Sequence, residues 1–136
     1  MKKSDAAGFI NADCTNTDLG KCNLEKAILE FKNAPWEKEL KEFDKLDGKR
    51  PTPCWPDLTF RIGDYHIAFT LANCLGSFNV EVCTFRPKKI LGFIAYPKFF
   101  EFKSISTDKA LMYLTKFYEL ETELQYEYFK KENENS

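Results

Sequence analysis

Between residues 57 and 103 the chain alternates apolar and polar side chains with a period of two, the signature of strands that bury one face. Leu58, Phe60 and Ile62 alternate with Asp57, Thr59 and Arg61. Gly63-Asp64 stands where a two-residue hairpin turn with glycine first belongs, and Tyr65, Ile67, Phe69 and Leu71 carry the apolar face onward. A second turn is predicted at 73–77, a third strand through Phe78, Val80, Val82 and Thr84, and a third connection at 86–89. Leu91, Phe93 and Ala95 then read as a fourth strand, broken at Tyr96-Pro97. Residues 99–103 read as a fifth, at the sheet edge where proline is permitted.

Helical spacing brackets this meander. Leu24, Ala27, Ile28 and Phe31 follow i, i+3, i+4, i+7 behind Asn23, a good N-cap. Pro35-Trp36 opens a second short helix with Trp36, Leu40 and Phe43 as its stripe, ended by Asp47-Gly48 and a proline-rich loop over 49–56. Thr107-Asp108 caps a closing helix predicted over 107–131, with Leu111, Leu114, Phe117, Tyr118, Leu124 and Tyr128 on its apolar side. Residues 1–20 show no periodicity and read as an irregular N-terminal arm. The predicted architecture is α+β: a single domain over 1–136, with short helices at 23–46, an antiparallel meander of four to five strands at 57–103, and a long C-terminal helix packed on the sheet.

Composition narrows the function classes. Thirteen Phe and six Tyr in 136 residues supply ample core material. Each buried Phe contributes roughly 1.5–3 kcal/mol, so neither metal nor disulfide is required for folding. A net charge of −1 argues against a dedicated nucleic-acid binder. No run approaches the length of a membrane span, and residues 6–20 lack the apolar core of a signal peptide, so a cytoplasmic protein is expected. The cysteines at 14, 22, 54, 74 and 83 match no zinc spacing, and there is one His. No metal or cofactor is expected. Reduced thiols are the primary reading, with a Cys14–Cys22 bridge as the alternative in a secreted protein.

Hairpin register carries one chemical inference. If Gly63-Asp64 is the turn, Arg61 faces His66; if the next turn is also tight, His66 faces Cys83, with Gly92 next in the row and Glu81 diagonal. A thiol beside an imidazole and a carboxylate is the outline of a nucleophilic site. The competing reading is a solvated or partner-binding face, since the second face of an antiparallel sheet is polar in any case. Ala68, Phe85, Ile90 and Ile94 share that face's parity. Either the N-terminal helices cover part of it, which is the expectation, or it is a recognition surface. Charge is also uneven: residues 119–134 carry Glu119, Glu121, Glu123, Glu127, Glu132 and Glu134 against Lys130 and Lys131. Such a surface is a solvated helix face or one that draws in a basic partner.

In architecture and size, the layout of 58–103 followed by 107–131 resembles bacterial immunity proteins that neutralise contact-dependent or other polymorphic toxins. The resemblance implies a non-enzymatic cytoplasmic protein whose partner is a basic cognate toxin, for instance a nuclease, with its active site blocked. Candidate partner-binding residues are Glu119, Glu121, Glu123 and Glu127 on the helix and Arg61, His66, Glu81, Phe85 and Ile94 on the sheet. No catalytic residue, metal, nucleic acid or membrane partner is expected. Alternatives are a secretion chaperone that binds an extended segment, or a small enzyme built on Cys83 and His66.

Overall fold

The computed structural model describes residues 5–86 and 96–136. The fold is α+β, and the described residues form six strands in one antiparallel sheet and four helices. In chain order the elements are β1 (Ala6–Ile10), β2 (Asn16–Asp18), α1 (Leu24–Asn33), α2 (Trp36–Leu46), β3 (Asp57–Ile62), β4 (Tyr65–Leu71), β5 (Ser77–Arg86), β6 (Tyr96–Ser106), α3 (Thr107–Glu119) and α4 (Thr122–Glu134). The strand order is β2-β1-β3-β4-β5-β6.

The two central hairpins form as the turn residues require. Gly63 takes a left-handed φ of 58°, which a glycine adopts without steric cost, and Ile62 pairs with Tyr65 across it. Gly76 does the same service at φ 83° in the next turn, leaving Leu71 opposite Phe78. Asn23 caps α1 by accepting a hydrogen bond from the Lys26 amide at 2.8 Å.

Four expectations are corrected. The expected irregular arm over 1–20 contains two strands within its described residues: Ala7 and Phe9 are buried in β1, opposite Phe60 and Leu58 of β3. Small residues such as Ala6, Ala7 and Gly8 give little local strand signal, and the pairing partner lies some fifty residues along the chain, so tertiary contact overrides propensity. Second, β5 pairs directly with β6, Arg86 opposite Tyr96, rather than with a strand at 91–95. That expected fourth strand, the connection at 87–89, Ile90, Gly92 and Ile94 lie outside the described residues. Pro97 sits near the start of β6, the last strand of the sheet order, where its missing N–H is tolerated.

Third, the closing helix is two helices, interrupted at Leu120, whose backbone is extended (φ −86°, ψ 138°). Glu121 follows Leu114 by seven residues, so in one straight helix it would fall on the buried stripe beside Leu114, Phe117 and Tyr118. A lone carboxylate there is costly. The break leaves Glu121 exposed, while Gln125 turns inward and donates its Nε2 to the Phe117 carbonyl at 2.9 Å. Fourth, a disulfide joins Cys14 to Cys54 and not to Cys22, which is buried and whose backbone carbonyl accepts the Tyr118 hydroxyl at 3.0 Å. The Ala12 amide beside the bridge donates to the buried Glu39 carboxylate of α2 at 2.9 Å, and its carbonyl accepts from the Cys54 amide at 3.0 Å. The β1–β2 hairpin is thereby held to α2 and to the loop before β3.

All four helices pack on one face of the sheet. Phe31 of α1 meets Phe69 and Phe78, each at 5.0 Å between ring centroids, and Trp36 of α2 meets Phe9 at 5.2 Å. Tyr113 of α3 and Phe129 of α4 close over Phe102 of β6. The expected cover of the second face by the N-terminal helices is therefore absent among the described residues. No helix of the described residues is long and apolar enough to cross a membrane.

Candidate functional site on the open sheet face

Pairing places the outward side chains of the sheet in three rows. One row runs Arg61, His66, Cys83, Phe99; the next runs Thr59, Ala68, Glu81, Glu101; the third runs Asp57, Thr70, Asn79. At its β6 end the third row meets a bulge, where Ser104 takes a φ of 55° and its amide donates to Asn79 Oδ1 at 3.0 Å. The middle of this grid carries short side chains, Thr59, Ala68 and Thr70, while longer ones stand around them. The result is a hollow of about 400 Å³ walled by Asp57, Arg61, His66, Glu81, Glu101 and Lys103.

The sequence-predicted register holds for the first three strands: Arg61 faces His66, and His66 faces Cys83. Beyond Cys83 the row ends on Phe99 and not Gly92, because β6 begins at Tyr96. His66 Nε2 lies 3.0 Å from Glu81 Oε1, with the imidazole mostly shielded and Glu81 nearly half exposed. Cys83 is buried, and its Sγ lies 4.0 Å from the Asp64 carbonyl oxygen. Burial first, and the Glu81 charge second, push the Cys83 thiol pKa upward. An activated nucleophile needs the opposite shift.

Phe85 is half-buried with its ring 4.8 Å from that of Tyr65, so it serves packing as much as recognition. Glu119, Glu121, Glu123 and Glu127 are all exposed, on α3, α4 and the break between them. They are not part of the hollow. Sequence reasoning missed Asp57, Glu101 and Lys103 as wall residues and Phe99 as the ring beside His66. The alternation of 99–103 was visible, but its register against β5 depends on where a nine-residue connection re-enters the sheet. Among the described residues no group of three His, Cys, Asp or Glu side chains is arranged to hold a metal ion.

Asp57 lies partly buried in the wall of the hollow. Its carboxylate accepts the Thr59 hydroxyl, yet burial, opposed by that bond and reinforced by Glu81, raises its pKa above the ordinary 3.8. The folded state then holds the Asp57 proton more tightly than the unfolded chain. Stability therefore falls as pH rises from the unfolded value through the folded one, and stays lower above it. Asp57→Asn keeps an acceptor for Thr59 and removes that loss. Chemical denaturation at several pH values should show the variant more stable than the parent at neutral pH, with the difference vanishing in acid. A parent that gains stability over the same rise in pH, relative to the variant, would contradict the assignment.

No protein-family model, curated protein or solved structure matches this chain.

Proposed function

We propose that this chain is a non-enzymatic binding protein of the immunity type, which holds a cognate bacterial toxin by the open sheet face and blocks its active site. The observation that carries the reading is that face itself. The described helices all lie on the other side, and what is left outward is a polar hollow with Phe99, 54% exposed, outside it beside the His66 wall. An aromatic anchor set among polar groups is the composition of an interaction hot spot. The exposed acids at 119, 121, 123 and 127 add a field that speeds encounter with a basic partner, such as a nuclease with a positive phosphate cleft. The upward shift of Cys83 favours binding over catalysis. The Cys14–Cys54 bridge weighs against the cytoplasmic setting expected from the sequence, because cytosolic thiols are kept reduced.

The test is titration calorimetry and rapid mixing with the toxin domain encoded beside this chain's gene. Phe99→Ala should weaken the complex by about 2 kcal/mol, roughly thirtyfold, mainly through faster dissociation. Charge reversal at Glu119, Glu121 and Glu123 should instead slow association and flatten its salt dependence. No binding by the neighbouring gene product, and no protection of cells expressing it, would end the immunity reading. Full retention of affinity in Phe99→Ala would move the interface off the sheet.

A further inference from the structure

We propose that the hollow on the open sheet face is a receptor for an arginine side chain of a protein partner, its guanidinium held between Glu81 and Glu101 and covered on one side by the Phe99 ring. This rests on the binding-protein reading only in assigning the arginine to a protein.

Glu81 and Glu101 stand directly opposite each other across β5 and β6. Like charges in that position destabilise a sheet unless a cation comes between them. Glu81 has the His66 imidazole on one side. Among the described residues neither Glu101 nor Asp57 forms an ion pair, and Arg61 and Lys103 form none with any of the three acids. Arg61 stands on β3 in the row next to that of Glu81 and Glu101, and Lys103 follows Glu101 by two residues on β6.

Shape and chemistry then select the cation. The floor of Thr59, Ala68 and Thr70 leaves depth for a long side chain, and the volume of about 400 Å³ exceeds what a single small ion would fill. Carboxylates from neighbouring strands suit the planar, many-donor guanidinium better than the point charge of an ammonium. Phe99 precedes Glu101 by two residues on the same strand face, and its ring lies 6.1 Å from His66 at the hollow's wall. An exposed aromatic face beside paired acids is where a guanidinium stacks.

The experiment is an NMR titration of the isotope-labelled full chain with N-acetyl-L-arginine amide, with N-acetyl-L-lysine amide and N-acetyl-L-glutamate amide as matched probes. The arginine probe should saturate and shift backbone amides at Thr59, Ala68, Glu81 and Glu101. It should also lower the Asp57 pKa followed by carboxyl shifts. Glu101→Gln, an exposed and isosteric change, should weaken the probe about tenfold. Phe99→Leu, which keeps apolar bulk without the ring face, should weaken it while leaving Asp57 titration in the free protein unchanged. Equal or tighter binding of the glutamate probe would assign the hollow to anions through Arg61 and Lys103 and overturn the proposal. So would the absence of saturable shifts, or indifference to Glu101→Gln. If the toxin complex forms and ignores Glu101→Gln, this inference fails while the immunity reading stands. If the arginine probe binds as described and no toxin does, the hollow stands and the immunity reading fails.

Discussion

Replacing Cys14 and Cys54 together by serine should lower the thermal midpoint on the order of 10–15 °C, the equivalent of about 4 kcal/mol for a bridge spanning this much chain. The two cysteines are separated by 40 positions, and the closed loop holds β2, α1 and α2. Opening it returns configurational freedom mainly to the unfolded chain. The native contacts that survive are specific: the Ala12 amide still reaches Glu39, and the Cys54 amide still donates to the Ala12 carbonyl. The folded structure should therefore persist in the double variant, with the loss appearing in the midpoint and not in the native spectrum. Thermal unfolding followed by circular dichroism, with and without a reductant, checks this. Reductant should reproduce the loss in the parent and leave the variant unmoved. Identical midpoints for parent and variant would mean that the bridge contributes nothing in solution. The same pair of samples bears on compartment, because a bridge worth this much is useful only where thiols are oxidised.

The bridge also shows what could be read from the sequence and what could not. Two tight turns, at Gly63-Asp64 and before Ser77, set the register of β3, β4 and β5 through local geometry. Arg61, His66, Cys83 and Glu81 could consequently be placed on one face from spacing alone. Each missed feature depends on residues far apart in the chain. Cys14 meets Cys54 because β1 inserts beside β3, and β1 itself is set by that pairing rather than by its own small residues. Phe99 reaches the Cys83 row only because the chain re-enters the sheet at Tyr96. The helix break was legible in principle. The heptad step from Leu114 to Glu121 places a carboxylate on the buried stripe, and that conflict outweighs an otherwise continuous helical pattern. The hollow was not legible, since it is made by short side chains on two strands surrounded by long ones on four.

Phe31→Ala should cost roughly 3–5 kcal/mol, a large share of the total stability of an ordinary domain. Phe31 is 2% exposed and is the point where α1 enters the aromatic cluster, touching Phe69 and Phe78 of the sheet and, at 6.1 Å, Trp36 of α2. The Trp36 indole N–H in turn donates to the Phe31 carbonyl at 3.1 Å. Truncation thus removes the ring that joins two helices to the sheet, and it leaves a cavity walled by rigid aromatics that cannot collapse into it. Urea denaturation should show a lower midpoint with an unchanged slope. Phe99→Ala provides the contrast within one sheet. Its ring lies on the opposite face and is more than half exposed, so its removal should alter stability by about 0.5 kcal/mol or less while loosening the partner complex. If the two phenylalanines instead cost the same in urea, the second face would be covered in solution, and the interface assigned to it would have to be sought elsewhere. If Phe31→Ala alone is costly, the sheet is divided as its alternating side chains imply: one face for holding the fold together, the other for meeting a partner.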